Sequence, residues 1–334
     1  MENKFGLVYT GAITENVPGK VNLRPVTYRN KDGIKISANL YLPADYTITK
    51  SYPAVIVAHP NGGVKEQVSG LFAQKLAEAG YISLAFDAAY QGASEGMPRQ
   101  TDLPANRVED IHAGLDFLLS VDGVDAKRVG ALGICGGGGY TLQASKSDKR
   151  IKAVATISMF NTGRVRRNGF EDSDIAGIQK RLEEATEARE KFATTGEVVY
   201  HGELLTHRTH FTKEQLEKIP AGLYRDGVEY YGDTHFHPNA QSRYTMMSLL
   251  GLMTWDVEDQ ASLLNQHLLM VAGDISDTRY MTDDFFKKAT GTQDKKIVYI
   301  KGANHIETYW KPEFVKQEGE AVINFFNEKL LQEK

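Results

Sequence analysis

The chain has 334 residues, of which 41% are hydrophobic and 25% charged, and its net charge of −4 is too small to favour a nucleic-acid or membrane surface as partner. No run approaches the ~20 apolar residues that cross a bilayer, and residues 1–20 lack the basic end and apolar run of a secretory signal. A single cysteine excludes an internal disulfide. We therefore expect a cytoplasmic globular protein that binds neither nucleic acid nor membrane.

The chain opens with a predicted β-hairpin, after which strands alternate with helices. Alternating residues at 21–43 predict the hairpin, with a tight turn at Asp32-Gly33. Unbroken apolar runs then predict strands buried on both faces, and apolar residues at helical spacing predict the helices between them. In chain order the segments are strand 52–59, helix 65–80, strand 81–87, helix 106–123, strand 128–134, helix 140–147 and strand 151–160, then, after a long gap, strand 267–273, helix 282–290, strand 295–302 and helix 312–331.

The regular alternation is interrupted between residues 160 and 265. An amphipathic helix is predicted at 174–196, and a second helix, rich in methionine and leucine, at 239–255. Because this departure is too long for a loop, we expect 160–265 to form a helical cap on a core made of 1–159 and 266–334. The predicted fold class is α/β, with a mostly parallel, doubly wound sheet opened by the antiparallel hairpin.

The lone cysteine lies in a cluster of glycines, where a predicted strand passes into a helix. The run "GICGG" at 133–137 matches the G-x-nucleophile-x-G pattern of a strained turn that exposes a nucleophile above a sheet. The positive end of the following helix favours the thiolate of Cys135. A phosphate-binding loop would need a Lys-Ser or Lys-Thr pair, which this segment lacks. We therefore interpret Cys135 as a nucleophile rather than as a packed thiol.

A base and an acid are predicted in two later strand-end loops. His305 follows the last strand in "KGANH", where it can take the thiol proton. In "GDISDTRY" two aspartates compete to orient this histidine. We prefer Asp277, which lies further into the loop, and keep Asp274 as the alternative. The alternatives to these catalytic roles are that His305 is an ordinary surface histidine and that the aspartates only form local pairs.

Backbone N–H groups are predicted to stabilise the tetrahedral oxyanion of acyl transfer. One belongs to Gly136, directly after the nucleophile. The other comes from the loop "HPNGG", where Pro60 has no N–H and the choice lies between Asn61 and Gly62. We prefer Gly62, and we expect His59 to brace this loop by hydrogen bonding.

The glycine-rich turn, the "HPNGG" loop, "AFDAAYQGASEG" after the fourth strand and "GANH" resemble the α/β-hydrolase fold over nearly the whole chain. More narrowly, they resemble the dienelactone-hydrolase-like group, whose members use cysteine where most relatives use serine. The resemblance implies Cys135 as nucleophile and His305 as base, in the chain order nucleophile, acid, histidine. The sequence departs from the family at the acid, because the usual spacing from Gly273 falls on Ser276.

The predicted cap is rich in histidine, arginine and aromatic residues. A metal site at the histidines is the sharper alternative, but no cysteine or strand-end carboxylate completes a ligand set, so we predict no metal. We expect the aromatic residues to form the cap core and a pocket wall, and the arginines either to attract a carboxylate substrate or to solvate the surface. The residues are His201, His207, His210, His235 and His237; Arg164, Arg166 and Arg167; and Tyr230, Tyr231, Phe236, Tyr244 and Trp255.

Together these residues predict a cofactor-independent hydrolase of carboxylic esters, thioesters or lactones. Its partner is a small-molecule acyl substrate, and it works through a Cys-His-Asp triad and a thioester acyl-enzyme. One alternative is an acyltransferase on the same triad, in which an alcohol or thiol replaces water. Another is a catalytically inactive binding protein of the same fold. A homodimer is left open.

Overall fold

The computed structural model describes residues 3–331, which form ten strands and ten α-helices. The strands are β1 (Asn22–Arg29), β2 (Lys35–Leu42), β3 (Tyr52–Ala58), β4 (Ile82–Phe86), β5 (Val124–Ile134), β6 (Ala153–Ile157), β7 (Tyr200–His201), β8 (Tyr244–Thr245), β9 (His267–Gly273) and β10 (Lys295–Ile300). The helices are α1 (Val68–Glu78), α2 (Pro104–Leu119), α3 (Gly136–Ser147), α4 (Thr162–Asn168), α5 (Ile178–Thr195), α6 (Lys213–Glu217), α7 (Leu223–Glu229), α8 (Leu249–Leu252), α9 (Arg279–Lys288) and α10 (Pro312–Leu330). Each helix within residues 3–331 is too short or too polar to cross a membrane.

Eight of the strands form one sheet in the order β1-β2-β4-β3-β5-β6-β9-β10, while β7 and β8 pair separately. The pairs β1/β2 and β2/β4 are antiparallel, and the remaining pairs of the large sheet are parallel. Parallel neighbours need crossover connections, which the helices supply; α1 packs on β3 and β4, and α3 packs on β5 and β6. The prediction of an α/β class, with a mostly parallel sheet opened by an antiparallel hairpin, is confirmed.

The local signals of the sequence account for the sheet and its first turn. Every residue of β3, β4 and β6 is buried, as unbroken apolar runs predict. In the hairpin turn the Asn30 side chain accepts the N–H groups of Asp32 and Ile34, and Gly33 has a φ of 76°. The parallel register places Ala58 of β3 beside Gly133 of β5. The loops that follow these two strands therefore meet at one edge of the sheet.

The segment between β6 and β9 differs from its prediction in one element. Helix α5 forms as expected, but 239–255 is not one helix, since it contains β8, a 3-10 turn and the short α8. Its backbone bonds to distant residues instead: Thr245 N–H donates to Gln100 at 3.1 Å, and Met246 N–H donates to Val199 at 2.8 Å. These tertiary hydrogen bonds outweigh the helical spacing of the apolar side chains. The extent of the cap, 160–265, stays a prediction.

Candidate active site

Cys135 lies at the sharp turn between β5 and α3. Its φ of 55° and ψ of −124° lie outside the regions that side chains prefer, a conformation that costs about 1–3 kcal/mol. Backbone hydrogen bonds hold the turn, since Cys135 N–H donates to Ile157 at 3.0 Å and its carbonyl accepts the N–H of Phe160 at 2.9 Å. The motif in the sequence predicts this strained turn.

Two glycines of the motif are required by close packing. A Cβ on Gly133 would overlap the carbonyl oxygen of Gly137. A Cβ on Gly137 would in turn lie 2.5 Å from the carbonyl oxygens of Ala58 and His59, at the end of β3. The first turn of α3 can therefore sit directly against the loop after β3. This contact brings that loop to the Cys135 thiol.

Burial dominates the ionisation of the Cys135 thiol. The side chain is buried in the protein, and this desolvation raises its pKa. The Tyr309 hydroxyl and the N–H groups of Gly136 and Asn61 face the sulfur and lower the pKa, but they do not outweigh burial. The resting group is therefore a neutral thiol. The expectation that the N-terminal end of α3 makes Cys135 a thiolate is therefore wrong, because burial raises the pKa of the thiol.

The backbone N–H groups that hydrogen-bond to the Cys135 sulfur are those of Gly136 and Asn61. From the sequence, Gly62 is preferred to Asn61 as the second oxyanion donor. Gly62 instead turns with a φ of 71°, and its carbonyl accepts the N–H of Gln241 at 3.0 Å. The Asn61 side chain donates to the Thr162 hydroxyl at 2.9 Å, which fixes the loop against the start of α4. We therefore replace Gly62 by Asn61 as the second candidate donor to an oxyanion.

His59 braces the loop after β3, as expected. Its Nε2 accepts the N–H of Ala88 at 3.0 Å, and its Nδ1 lies 2.6 Å from the carbonyl oxygen of Pro60. The Arg107 guanidinium donates to the His59 carbonyl at 2.9 Å. Burial lowers the pKa of His59 to about 3, so the ring is neutral and both nitrogens serve the fold. It is unsuited to act as a second base.

His305 is fully buried between two hydroxyl groups. Its Nδ1 lies 2.5 Å from Thr278 Oγ1, and its Nε2 lies 2.8 Å from the hydroxyl of Tyr309. Burial lowers the pKa of His305 to about 3, so the imidazole is neutral at physiological pH. The Tyr309 hydroxyl also lowers the pKa of the Cys135 thiol by hydrogen bonding, so it interacts with both the predicted nucleophile and the predicted base.

Neither candidate acid contacts His305. One carboxylate oxygen of Asp277 accepts the N–H of Leu223 at 2.8 Å, and Asp274 accepts the N–H of Gly302 at 2.6 Å. The histidine nitrogen that an acid would orient is bonded to Thr278 instead. The sequence-based choice of Asp277, with Asp274 as alternative, therefore does not match this geometry.

Two residues of this arrangement were missed from the sequence, Thr278 and Tyr309. Tyr309 lies four residues after His305 in a turn, a spacing that brings side chains together on one face and could have identified it. The hydroxyl of Thr278 is bonded to Ser276 at 2.8 Å. Ser276 is the position on which the family spacing of the acid falls, so that spacing points to the correct part of the loop.

A cavity of about 300 Å³ opens above Cys135. Cys135 and Tyr309 line it from the α/β core. The segment between β6 and β9 contributes Phe160 and, from its later part, Tyr231 and Tyr244. The latter two confirm the expectation that aromatic residues of this segment form a pocket wall. Cys135 and Tyr309 line this cavity, whereas His305 is not among its lining residues within 3–331.

The three arginines of the segment have different surroundings. Arg164 forms ion pairs with three carboxylates and Arg167 with one, so their charges are balanced within the fold. Arg166 lines the cavity, and its guanidinium lies 4.4 Å from the centre of the Tyr244 ring. No carboxylate of residues 3–331 forms an ion pair with Arg166. The cavity therefore carries one unbalanced positive charge.

The histidines of the segment are dispersed. His201 packs against Tyr244 in a tilted arrangement with ring centres 5.0 Å apart, and His235 stacks on Tyr230 at 4.5 Å. His210 is exposed and lies 3.3 Å from Asp233. Within residues 3–331, His, Cys, Asp and Glu side chains form no group of three or more that could hold a metal ion.

The contacts of His305 predict that substitution of Thr278 lowers activity, whereas substitution of the neighbouring Asp277 does not. Thr278→Val removes the hydrogen bond that fixes the tautomer of His305, and we expect kcat/KM for p-nitrophenyl acetate to fall roughly tenfold. Asp277→Asn is the matched control and leaves kcat/KM within about twofold of the wild type. A larger loss in Asp277→Asn than in Thr278→Val would restore the aspartate as the orienting group.

The comparisons with known proteins agree with this fold. The profile of the dienelactone hydrolase family matches residues 36–164. The Escherichia coli K12 protein YcjY is 36% identical over 308 residues, which cover 91% of this chain and 97% of YcjY. The crystal structure of Pseudomonas aeruginosa PA2218 aligns with a TM-score of 0.82 and 30% identity, over 97% of this chain and 99% of the other.

A second structure, the α/β hydrolase GrgF from Penicillium sp. sh18, aligns with a TM-score of 0.75 and 18% identity, over 93% of this chain and 100% of the other. At this identity the likeness concerns the fold. The similarity to YcjY extends over nearly the full length of both proteins, and the family profile covers β2 to α4, including the turn at Cys135. The chain therefore belongs to the dienelactone hydrolase family and has the α/β-hydrolase fold.

Proposed function

We propose that this member of the family hydrolyses carboxylic esters, thioesters or lactones through an acyl-enzyme on Cys135. The observation that carries the proposal is the position of Cys135, at a strained turn on the floor of a cavity. Backbone donors from Asn61 and Gly136 face its sulfur, and Tyr309 connects it to His305. These are the nucleophile, the oxyanion donors and the base that acyl transfer requires.

In the proposed reaction the Cys135 sulfur attacks the substrate carbonyl and forms a tetrahedral oxyanion. The N–H groups of Asn61 and Gly136 stabilise the oxyanion, and His305 receives the thiol proton. Collapse breaks the bond to the alcohol or thiol leaving group, which takes the proton from His305. Water then gives a proton to His305 as its oxygen attacks the thioester carbonyl. The C–S bond breaks, the acid leaves, and His305 returns the proton to the Cys135 sulfur.

An acyltransferase is the second candidate. GrgF, a relative with the same fold, is named polyketide transferase, and its matched region is 27% identical over 133 residues. In a transferase an alcohol or thiol replaces water in the second step. Adding an alcohol or thiol acceptor to the assay separates the two candidates. A hydrolase releases mainly free acid, whereas a transferase forms mainly the acylated acceptor.

The primary test uses p-nitrophenyl acetate, p-nitrophenyl butyrate and a short acyl thioester. We expect a burst of product followed by steady turnover, because the acyl-enzyme accumulates before water resolves it. Cys135→Ala and His305→Ala abolish both phases, while His210→Ala, an exposed histidine outside the cavity, retains them. Turnover that persists in Cys135→Ala would contradict the proposal. Failure of the wild type on every substrate would favour an inactive binding protein.

The charge of Arg166 predicts which acyl groups are preferred. The Arg166 guanidinium has no ion-pair partner among residues 3–331 and is partly buried beside the cavity, so it favours substrates that carry a carboxylate. We expect the wild type to hydrolyse a p-nitrophenyl succinate monoester faster than the butyrate. Arg166→Gln reduces this preference roughly tenfold or more. The matched control is Arg189→Gln, an exposed arginine on α5, and equal preferences in both variants would refute the role of Arg166.

The pH dependence follows from the buried histidine. Since burial lowers the pKa of His305 to about 3, the neutral base persists far below pH 6.5. We therefore expect kcat/KM to stay level as pH falls from 7 to about 5, without the decline that an ordinary histidine with a pKa near 6.5 would cause. Circular dichroism in the same buffers controls for unfolding. A half-maximal point near pH 6.5 in folded protein would contradict the neutral, buried base.

A further inference from the structure

The hydroxyl of Tyr309 interacts with two buried groups of the site, His305 and Cys135. It lies 2.8 Å from His305 Nε2. It also interacts with the Cys135 thiol, whose pKa it lowers by hydrogen bonding. Cys135 and Tyr309 both line the cavity, whereas His305 is fully buried behind them. Substrate that reaches Cys135 therefore meets Tyr309 before His305.

We propose that Tyr309 is a catalytic residue whose hydroxyl carries the proton between Cys135 Sγ and His305 Nε2 in both directions. This inference rests on the proposed function, because it concerns the proton that the acyl-transfer chemistry must move.

The hydrogen bonds around His305 can all point in the direction that the relay needs. With the proton on Nδ1, His305 donates to Thr278 Oγ1, and Thr278 donates to Ser276 Oγ, 2.8 Å away. Nε2 is then an acceptor for the Tyr309 hydroxyl, whose oxygen is free to accept the proton of the Cys135 thiol. With the proton on His305 Nδ1, each group can thus donate a hydrogen bond to the next, from Cys135 through Tyr309, His305 and Thr278 to Ser276.

The relay balances at each step. As Cys135 Sγ forms its bond to the acyl carbon, the S–H bond breaks and its proton passes to the Tyr309 oxygen. The original Tyr309 proton passes to His305 Nε2, so the tyrosine ends the step neutral. When the leaving group departs, it takes a proton from Tyr309, which is reprotonated from His305. Water follows the same path in the hydrolysis of the thioester.

The ring of Tyr309 is held so that its hydroxyl keeps this position. It packs edge-on against Tyr230 with ring centres 5.5 Å apart and against His305 at 5.5 Å, and it is almost fully buried. Burial raises the pKa of Tyr309 far above its usual value. The hydroxyl therefore stays protonated and acts by exchanging protons rather than as a standing tyrosinate.

The first test replaces only the hydroxyl. Tyr309→Phe keeps the ring that packs on Tyr230 and His305, and we expect kcat/KM for p-nitrophenyl acetate to fall by roughly a hundredfold or more. Tyr230→Phe is the matched control, because it removes a buried hydroxyl that neighbours the same ring but does not line the cavity. Wild-type activity in Tyr309→Phe would overturn the relay.

The second test needs no ester and follows alkylation of the single cysteine by iodoacetamide from pH 6 to 10. The relay removes the thiol proton, so at pH 7 we expect Tyr309→Phe to react roughly a hundredfold more slowly than wild type and Tyr230→Phe. The deficit should shrink towards unity at high pH, where bulk hydroxide ionises the thiol. A deficit that is equal at every pH, or faster alkylation of Tyr309→Phe at pH 7, would overturn the proposal.

The two tests also separate the relay from the proposed function. If the wild type hydrolyses none of the esters but the alkylation deficit shows the expected pH dependence, the relay stands and the proposed substrate class falls. If esters are hydrolysed through Cys135 while alkylation of Tyr309→Phe matches that of the wild type, the proposed function stands and the relay is wrong.

Discussion

The close packing of glycines around Cys135 is the constraint on which the site depends. Gly137 lies against the carbonyl oxygens that end β3, at a distance that no side chain permits. The approach lets the first turn of α3 and the loop after β3 meet, so N–H groups from two separate segments face one sulfur. Cys135 itself lies in a strained conformation, held by backbone hydrogen bonds to Ile157 and Phe160. The position of the thiol is thus set by the backbone, before any catalytic partner is considered.

Around this fixed thiol, burial determines which groups are charged. Desolvation raises the pKa of Cys135 and lowers that of His305, so the pair rests as neutral thiol and neutral imidazole. The direct partners of His305 are the hydroxyls of Thr278 and Tyr309, and neither predicted aspartate touches it. A neutral resting pair avoids the cost of burying separated charges. In the proposed mechanism, charge develops only when substrate brings a carbonyl to the backbone donors.

The sequence predicts those structural features that depend on a few consecutive residues. Apolar runs identify the buried strands, and "GICGG" identifies the strained turn, because both signals lie within a few consecutive residues. The predicted helix 239–255 fails, since its backbone pairs with Gln100 and Val199, which are remote in the chain. Asp277 is preferred from the sequence because it lies further into its loop, but in the structure one of its carboxylate oxygens accepts the N–H of Leu223, and His305 bonds to Thr278 instead. Side-chain direction in a loop depends on such distant partners.

The proposed function requires that the substrate acylates Cys135. Rapid-quench mass spectrometry detects this acyl group. Wild-type protein is mixed with p-nitrophenyl acetate, stopped in acid within the burst, digested and mapped. We expect an acetyl group on the peptide that contains Cys135, which is the one cysteine of the chain, and no acetylated peptide from Cys135→Ala. Steady turnover with an unmodified Cys135, or with the acetyl group on another residue, would contradict it.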